Sequence, residues 1–166
     1  LGRLKQRVET ALREPLPSVF VKGQGVHSDF REYASRARRS FDAVITSPPF
    51  PGMRFDRPNW LRLWFCGWGE RNFHEDSLSF LERQQMRSMD CYVEFFKAVH
   101  RVLKDDGVLV VHSGGSDNMP TELAKRSAEY FTLIDEIAED VSEVEKHGLP
   151  DKTRTSAHHF LFFQKL

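Results

Sequence analysis

Apolar residues recur along this chain first with helical spacing and then in short continuous runs. Leu4, Val8, Ala11 and Leu12 fall on one side of a helix over Arg3–Arg13, with Arg3, Arg7 and Arg13 turned away. Pro15 and Pro17 end it. Val19 to Val21 reads as a short strand, and Gly23-Gln24-Gly25 as a turn. That glycine pair lacks the third glycine and the helix offset of a nucleotide loop. Ser28-Asp29 caps a helix to about Arg38, with Asp29 and Glu32 at capping-box spacing. Phe41-Asp42-Ala43-Val44-Ile45 then reads as a buried strand. It cannot continue through Pro48-Pro49, because each proline fixes φ and lacks an N–H donor.

Beyond the prolines the pattern turns helical again. Trp60 and Trp64 are one turn apart, as are Leu61 and Phe65, which predicts a short helix with a heavy aromatic face. Leu63 and Phe65 are expected in the core. Ser77 to Met86 reads as polar helix, and Met89 to Lys104 as a stronger one. Tyr92, Phe95, Phe96, Val99, Val102 and Leu103 share its apolar side, and Asp105-Asp106-Gly107 closes it with a C′ glycine. Val108 to Val111 reads as a strand buried on both faces. His112 to Asn118 forms a polar loop, and Pro120 opens a helix to about Glu129. Two further strands cover Tyr130–Ile137 and Ala157–Phe163, separated by an acidic, exposed Glu139–Glu145 and a loop over His147–Thr155. The order is strand, helix, strand, a helical and aromatic insertion over 51–90, strand, helix, strand, strand. That is an α/β domain with a largely parallel sheet.

Composition narrows the classes. One domain accounts for 166 residues, and 24 basic side chains balance 24 acidic ones. A nucleic-acid contact therefore has to come from a local patch rather than a global field. Cys66 and Cys91 fit no metal-binding spacing and read as reduced thiols of a cytoplasmic protein. No apolar run has the length of a membrane span. His158 and His159 are adjacent on a strand and point to opposite faces, which argues against a shared metal.

The chemistry concentrates at Thr46-Ser47-Pro48-Pro49-Phe50. A rigid loop at a strand end carries backbone acceptors, a hydroxyl and an aromatic ring. It suits a planar substrate with an amino group, stacked on Phe50 and donating to Ser47 and to a carbonyl. Ser47-Pro48-Pro49-Phe50 after Asp42-Ala43-Val44-Ile45 resembles the signature of the amino-group DNA methyltransferases, the cytosine-N4 and adenine-N6 type. Arg54-Phe55-Asp56 and Leu63-Trp64-Phe65 resemble the segment after that loop in certain bacterial and archaeal members. Phe95 to Val111 looks like the helix-turn-strand leading into the fifth strand of many S-adenosylmethionine methyltransferases.

The resemblance implies a Rossmann-like sheet, mostly parallel, with an antiparallel C-terminal strand beside the sixth. It implies S-adenosylmethionine as cofactor and a flipped DNA base as substrate. Asp29, Phe30 and Thr46 become candidates for holding the cofactor, although Asp29 serves equally as a plain helix cap. Ser47, Pro48, Pro49 and Phe50 become the catalytic loop. Arg54, Asp56 and Arg57 are candidates for phosphate or base contacts. Ser before Pro-Pro favours cytosine N4 over adenine N6.

The family's aromatic-x-Gly-x-Gly cofactor turn occurs nowhere in the sequence. On the family's layout the chain starts near the third strand, so the expected fold is incomplete at its N-terminal side; three readings stay open, a missing N-terminal half of a larger enzyme, a separate chain that carries the rest, or a relic. Two other functions stay open: methylation of RNA or of protein amide nitrogens, and a non-catalytic binding subunit.

Overall fold

The computed structural model describes residues 2–13, 18–37, 39–49, 58–114, 118–141 and 157–166. In chain order the helices are α1 (Gly2–Arg13), α2 (Phe30–Arg36), α3 (Trp60–Phe65), α4 (Glu70–His74), α5 (Leu81–Gln84), α6 (Cys91–Val102) and α7 (Met119–Ser127). A short 3-10 turn spans Asp76–Ser79. The strands are β1 (Phe41–Thr46), β2 (Leu103–Gly114), β3 (Phe131–Asp140) and β4 (Ala157–Lys165), in the order β1-β2-β4-β3. β1 pairs with β2 in parallel, and β4 runs antiparallel to both β2 and β3. Three strands thus point one way, and the C-terminal strand is inserted against them.

The core lies on one face of this sheet. Leu109 and Val111 of β2 and Leu161 and Phe163 of β4 are buried against Tyr92, Phe96 and Val99 of α6 and Leu123 of α7. Phe96 is the hinge of this packing, its ring 5.7 Å from Phe163 and 6.0 Å from Phe131. The residues between them in sequence, Val110, His112, Phe160 and Phe162, are only half-buried. The expectation of a β2 buried on both faces is therefore corrected: the strand alternates, because α6 and α7 pack on one side of it. The same holds for β1, expected to be buried. It sits at the end of the strand order, where Ile45 is 78% exposed while Val44 on the other face packs against the core.

Several boundaries move. Val19 to Val21 forms no strand, and Val19 and Val21 are exposed. A β-branched run becomes a strand only where a neighbour supplies the ladder. Helix α6 ends at Val102 and the chain turns directly into β2, so Asp105-Asp106-Gly107 belongs to the strand and not to a helix cap. The β1–β2 pairing jumps from Phe41↔Leu103 to Ala43↔Val108, a register irregularity with more residues on β2 than on β1. Gly107 is needed for that close approach: a Cβ on it would lie 2.9 Å from the Lys104 carbonyl oxygen and 2.9 Å from Leu103 Cδ2. His112, Ser113 and Gly114, expected to leave the strand as a loop, extend it instead, because His112↔Phe160 and Gly114↔His158 pairing continues. Phe65, expected in the core, is exposed on the short helix α3. The expected Glu139–Glu145 segment divides: Glu139 and Asp140 finish β3, Val141 is buried, and the remainder, with the His147–Thr155 loop, lies outside the described residues.

Candidate functional site

Helix α2 precedes β1 in the chain and packs through Ala34 against Ala98 and Val102 of α6, with Val44 of β1 beside them. A helix that leads into a strand it lies alongside runs against that strand. Its N-terminus therefore lies toward the strand's C-terminal end, and Asp29, the residue that caps α2, shares a cavity with Ser47. The cap is made by the Asp29 carboxylate accepting the Arg31 backbone N–H at 2.8 Å. The same carboxylate is gripped by the Arg31 guanidinium at 3.0 and 2.7 Å, which holds its pKa down at about 2. Glu32 turns to Arg36 instead of returning to the cap, so the reciprocal half of the expected capping box is not made.

Between the start of α2 and the end of β1 lies a cavity of about 800 Å³. Its lining joins Asp29, Phe30, Thr46, Ser47, Pro48 and Pro49, which are six of the residues singled out from the sequence. That size is in the range of small-molecule sites. Phe95 of α6 forms part of the wall, with its ring 5.9 Å from Phe30 in an edge-on contact. Arg31 lies over the Phe30 ring, 5.5 Å from its centre. Phe50, Arg54, Asp56 and Arg57 lie outside the described residues.

Two groups in the site escaped the sequence reading. The first is the segment after α4: Ser79, Phe80, Leu81, Glu82 and Gln84 also line the cavity, with Glu82 buried. No local pattern marks this, since the segment meets the loop only through the tertiary fold. Gln85 and Tyr92 complete the support. Tyr92, fully buried, donates to Gln85 Oε1 at 2.9 Å and lies 3.3 Å from the Pro49 carbonyl oxygen. Burial raises the Tyr92 phenol well above its ordinary pKa, so it stays protonated as a donor.

The second is His112. The parallel register pairs Thr46 with Val111, so the next residue of each strand, Ser47 and His112, come side by side. Ser47 Oγ and His112 Nδ1 are 3.2 Å apart. The signal was present in the sequence as two strands that end together, but only the register says which residues face each other.

The two adjacent histidines of β4 do separate to opposite faces. His158 lies edge-on to His112 with ring centres 4.7 Å apart, while His159 Nδ1 is 2.8 Å from Glu136 Oε1. Among the described residues no group of His, Cys, Asp and Glu has the arrangement to hold a metal, and no helix is long and apolar enough to cross a membrane.

No family model matches the chain, and the comparison with curated proteins found no sequence match. Solved structures do resemble it in fold. TTHA0409 of Thermus thermophilus, a candidate DNA modification methylase, superposes with a TM-score of 0.50 at 18% identity, over 82% of this chain and 50% of that one. Its complex with S-adenosyl-L-methionine superposes with a TM-score of 0.50 at 17% identity, over 82% of this chain and 53% of that one. The cytosine-N4-specific PvuII DNA methyltransferase aligns at a TM-score of 0.48 and 21% identity, over 82% of this chain and 47% of that one. The chain thus spans about half the length of the structures it matches. The fold is α/β and Rossmann-like, an open sheet of the methyltransferase kind with three strands in one direction and the last one reversed.

Proposed function

We propose that this chain forms the base-accepting part of an enzyme that transfers a methyl group from S-adenosylmethionine to the exocyclic amine of a DNA base, cytosine N4 ahead of adenine N6. One observation carries the reading: a single cavity is lined both by the Ser47-Pro48-Pro49 loop at the end of β1 and by Asp29, Phe30 and Thr46. In open α/β sheets the C-terminal ends of parallel strands are where ligands bind.

The cavity suits the cofactor in volume and in lining. Phe30 and Phe95 offer aromatic walls, and Asp29, Thr46 and Ser47 offer polar groups among them. When bound, S-adenosylmethionine supplies a methyl group activated by a positively charged sulfur. In this reading Asp29, Phe30 and Thr46 hold that molecule, and the Ser47 hydroxyl oxygen accepts a hydrogen bond from the amine. An aromatic amine is a poor nucleophile because its lone pair is conjugated. Acceptors at Ser47 and at the Pro48 carbonyl draw its hydrogens out of the ring plane and localise that pair. Holding the amine in line with the methyl group supplies much of the rate. The base has to leave the duplex to reach such a site, and Phe50 is the ring on which it stacks. Arg54, Asp56 and Arg57 are assigned to the DNA around it. Because the sequence lacks an aromatic-x-Gly-x-Gly turn, this reading also calls for a second polypeptide segment that carries one.

That same lack favours a second reading, a methyltransferase-like subunit that binds without catalysing. The decisive experiment supplies radiolabelled S-adenosylmethionine and mixed-sequence DNA to the purified protein, with nucleoside digestion and mass analysis of the product. N4-methylcytosine is the expected product. N6-methyladenine would correct the base, and label entering RNA or protein in place of DNA would move the assignment to that substrate. No transfer to any of them, with or without added polypeptides of the source cell, would leave the binding subunit as the function.

A further inference from the structure

We propose that His112 is the positioning and proton-accepting residue behind Ser47, so that the proton lost by the methylated amine leaves through a Ser47–His112 relay. The proposal rests on the methyl-transfer reading above. Three observations carry it. The β1–β2 register sets Ser47 beside His112 at the C-terminal ends of adjacent parallel strands, with Oγ and Nδ1 3.2 Å apart. The imidazole is held in one orientation: it stacks on Phe160 with ring centres 4.7 Å apart at 24°, and His158 meets it edge-on at 4.7 Å and 77°. Finally, Ser47 lines the cavity while its hydroxyl touches the imidazole, so one residue joins the two.

The chemistry requires such an acceptor. As the amine nitrogen forms its bond to the methyl carbon, the sulfur–carbon bond breaks and its electron pair returns to sulfur, which becomes a neutral thioether. The nitrogen is left with one positive charge and one proton too many. A serine hydroxyl cannot keep that proton, but it can take it while passing its own to His112 Nδ1. The imidazolium then returns it through the exposed Ser47 hydroxyl to solvent once the methylated base has left. Histidine is the side chain whose ordinary pKa, about 6.5, suits this exchange near neutral pH. Asp29, in the same cavity, is committed to Arg31 through both carboxylate oxygens. Glu82 is the other carboxylate in the lining and is the control. Among the described residues the titratable ring against His112 is His158 of β4, which the β3–β4 register in turn pairs with Glu139.

Two measurements test the relay. Nitrogen-15 NMR of the histidines in the whole chain reads the tautomer without any need for activity. The expected result is neutral His112 with its proton on Nε2 and a bare Nδ1, and a changed Nδ1 shift in Ser47→Ala. A proton resident on Nδ1 overturns the relay, whatever the activity. The second measurement is single-turnover methyl transfer across pH. The wild-type rate is expected to rise about tenfold per pH unit below the histidine pKa and then level off. His112→Asn, which keeps an acceptor near the Nδ1 position but takes no proton, and His112→Phe should both lower the rate about 10² to 10⁴-fold and lose that rise. DNA affinity and melting temperature should stay near wild type. A His112→Asn rate close to wild type would reduce His112 to a structural hydrogen bond, and loss of the pH limb in Glu82→Gln would move the base to Glu82. A wild-type protein without any methyl transfer would overturn the proposed function instead, a failure the tautomer measurement keeps separate.

Discussion

Tyr92, in the first turn of α6, lies with its hydroxyl 3.3 Å from the carbonyl oxygen of Pro49 and so ties the main core helix to the loop that ends β1. The phenol also donates to Gln85 at 2.9 Å, and its ring is fully buried. Tyr92→Phe keeps the packing and removes the donor that both acceptors face. The expected cost is about 1–3 kcal/mol, read from urea unfolding. Cavity-site ligands should lose affinity by more than the stability loss accounts for, because the loop is no longer held.

Gly107→Ala should be among the more damaging small changes. The new Cβ would lie 2.9 Å from a backbone oxygen, that of Lys104, which has little freedom to give way. A loss of about 1–3 kcal/mol in unfolding free energy is expected, with a lower thermal midpoint. A neutral outcome would mean that the irregular start of β2 yields easily.

At Asp29 the cap and the charge separate by substitution. Asp29→Ala should cost about 0.5–2 kcal/mol, whereas Asp29→Asn keeps an oxygen for the Arg31 amide and should cost less. Folding lowers the pKa of this carboxyl to about 2, so the native state binds fewer protons than the unfolded one. The contribution is complete above the unfolded value near 4 and is lost as pH falls toward 2. The gap between wild type and Asp29→Asn should therefore close over that window. Added salt should narrow it at neutral pH as well, since both partners are 44% exposed.

Phe50→Ala is expected to weaken binding of the flipped base by one to two powers of ten, in line with about 1–3 kcal/mol for base–aromatic stacking. Phe50→Tyr keeps the ring and should be tolerated. Ser47→Ala should lower turnover more than affinity. If Phe50→Ala instead loses activity only in proportion to folded protein, the loop is a structural turn.

The chain alone is expected to bind S-adenosylmethionine weakly, because the lining of the cavity includes no glycine turn of the family kind. Calorimetric titration decides this. A micromolar Kd for the isolated chain would place the cofactor site elsewhere.

How far the sequence reached can be seen at β1. Its strand character and its end were legible, because two prolines forbid a continuing ladder whatever surrounds them. So were the helical period of α6, the N-terminal proline of α7 and the cap at Asp29, all of them local matters of spacing and backbone chemistry. What the sequence could not state is which face of β1 and β2 the helices cover. An apolar run such as Val108 to Val111 is compatible with one covered face or two, and only the packing of α6 and α7 decides it. Nor does spacing reveal that Gly107 relieves a close approach inside β2, since the same glycine also suits a helix end. The site divides in the same way. Ser47, Pro48 and Pro49 announce themselves as a rigid loop, but the His112 imidazole reaches Ser47 through strand register, Tyr92 reaches Pro49 through long-range packing, and Glu82 joins the same cavity only in the fold. Those contacts join residues tens of positions apart, and no short-range preference of the chain encodes them.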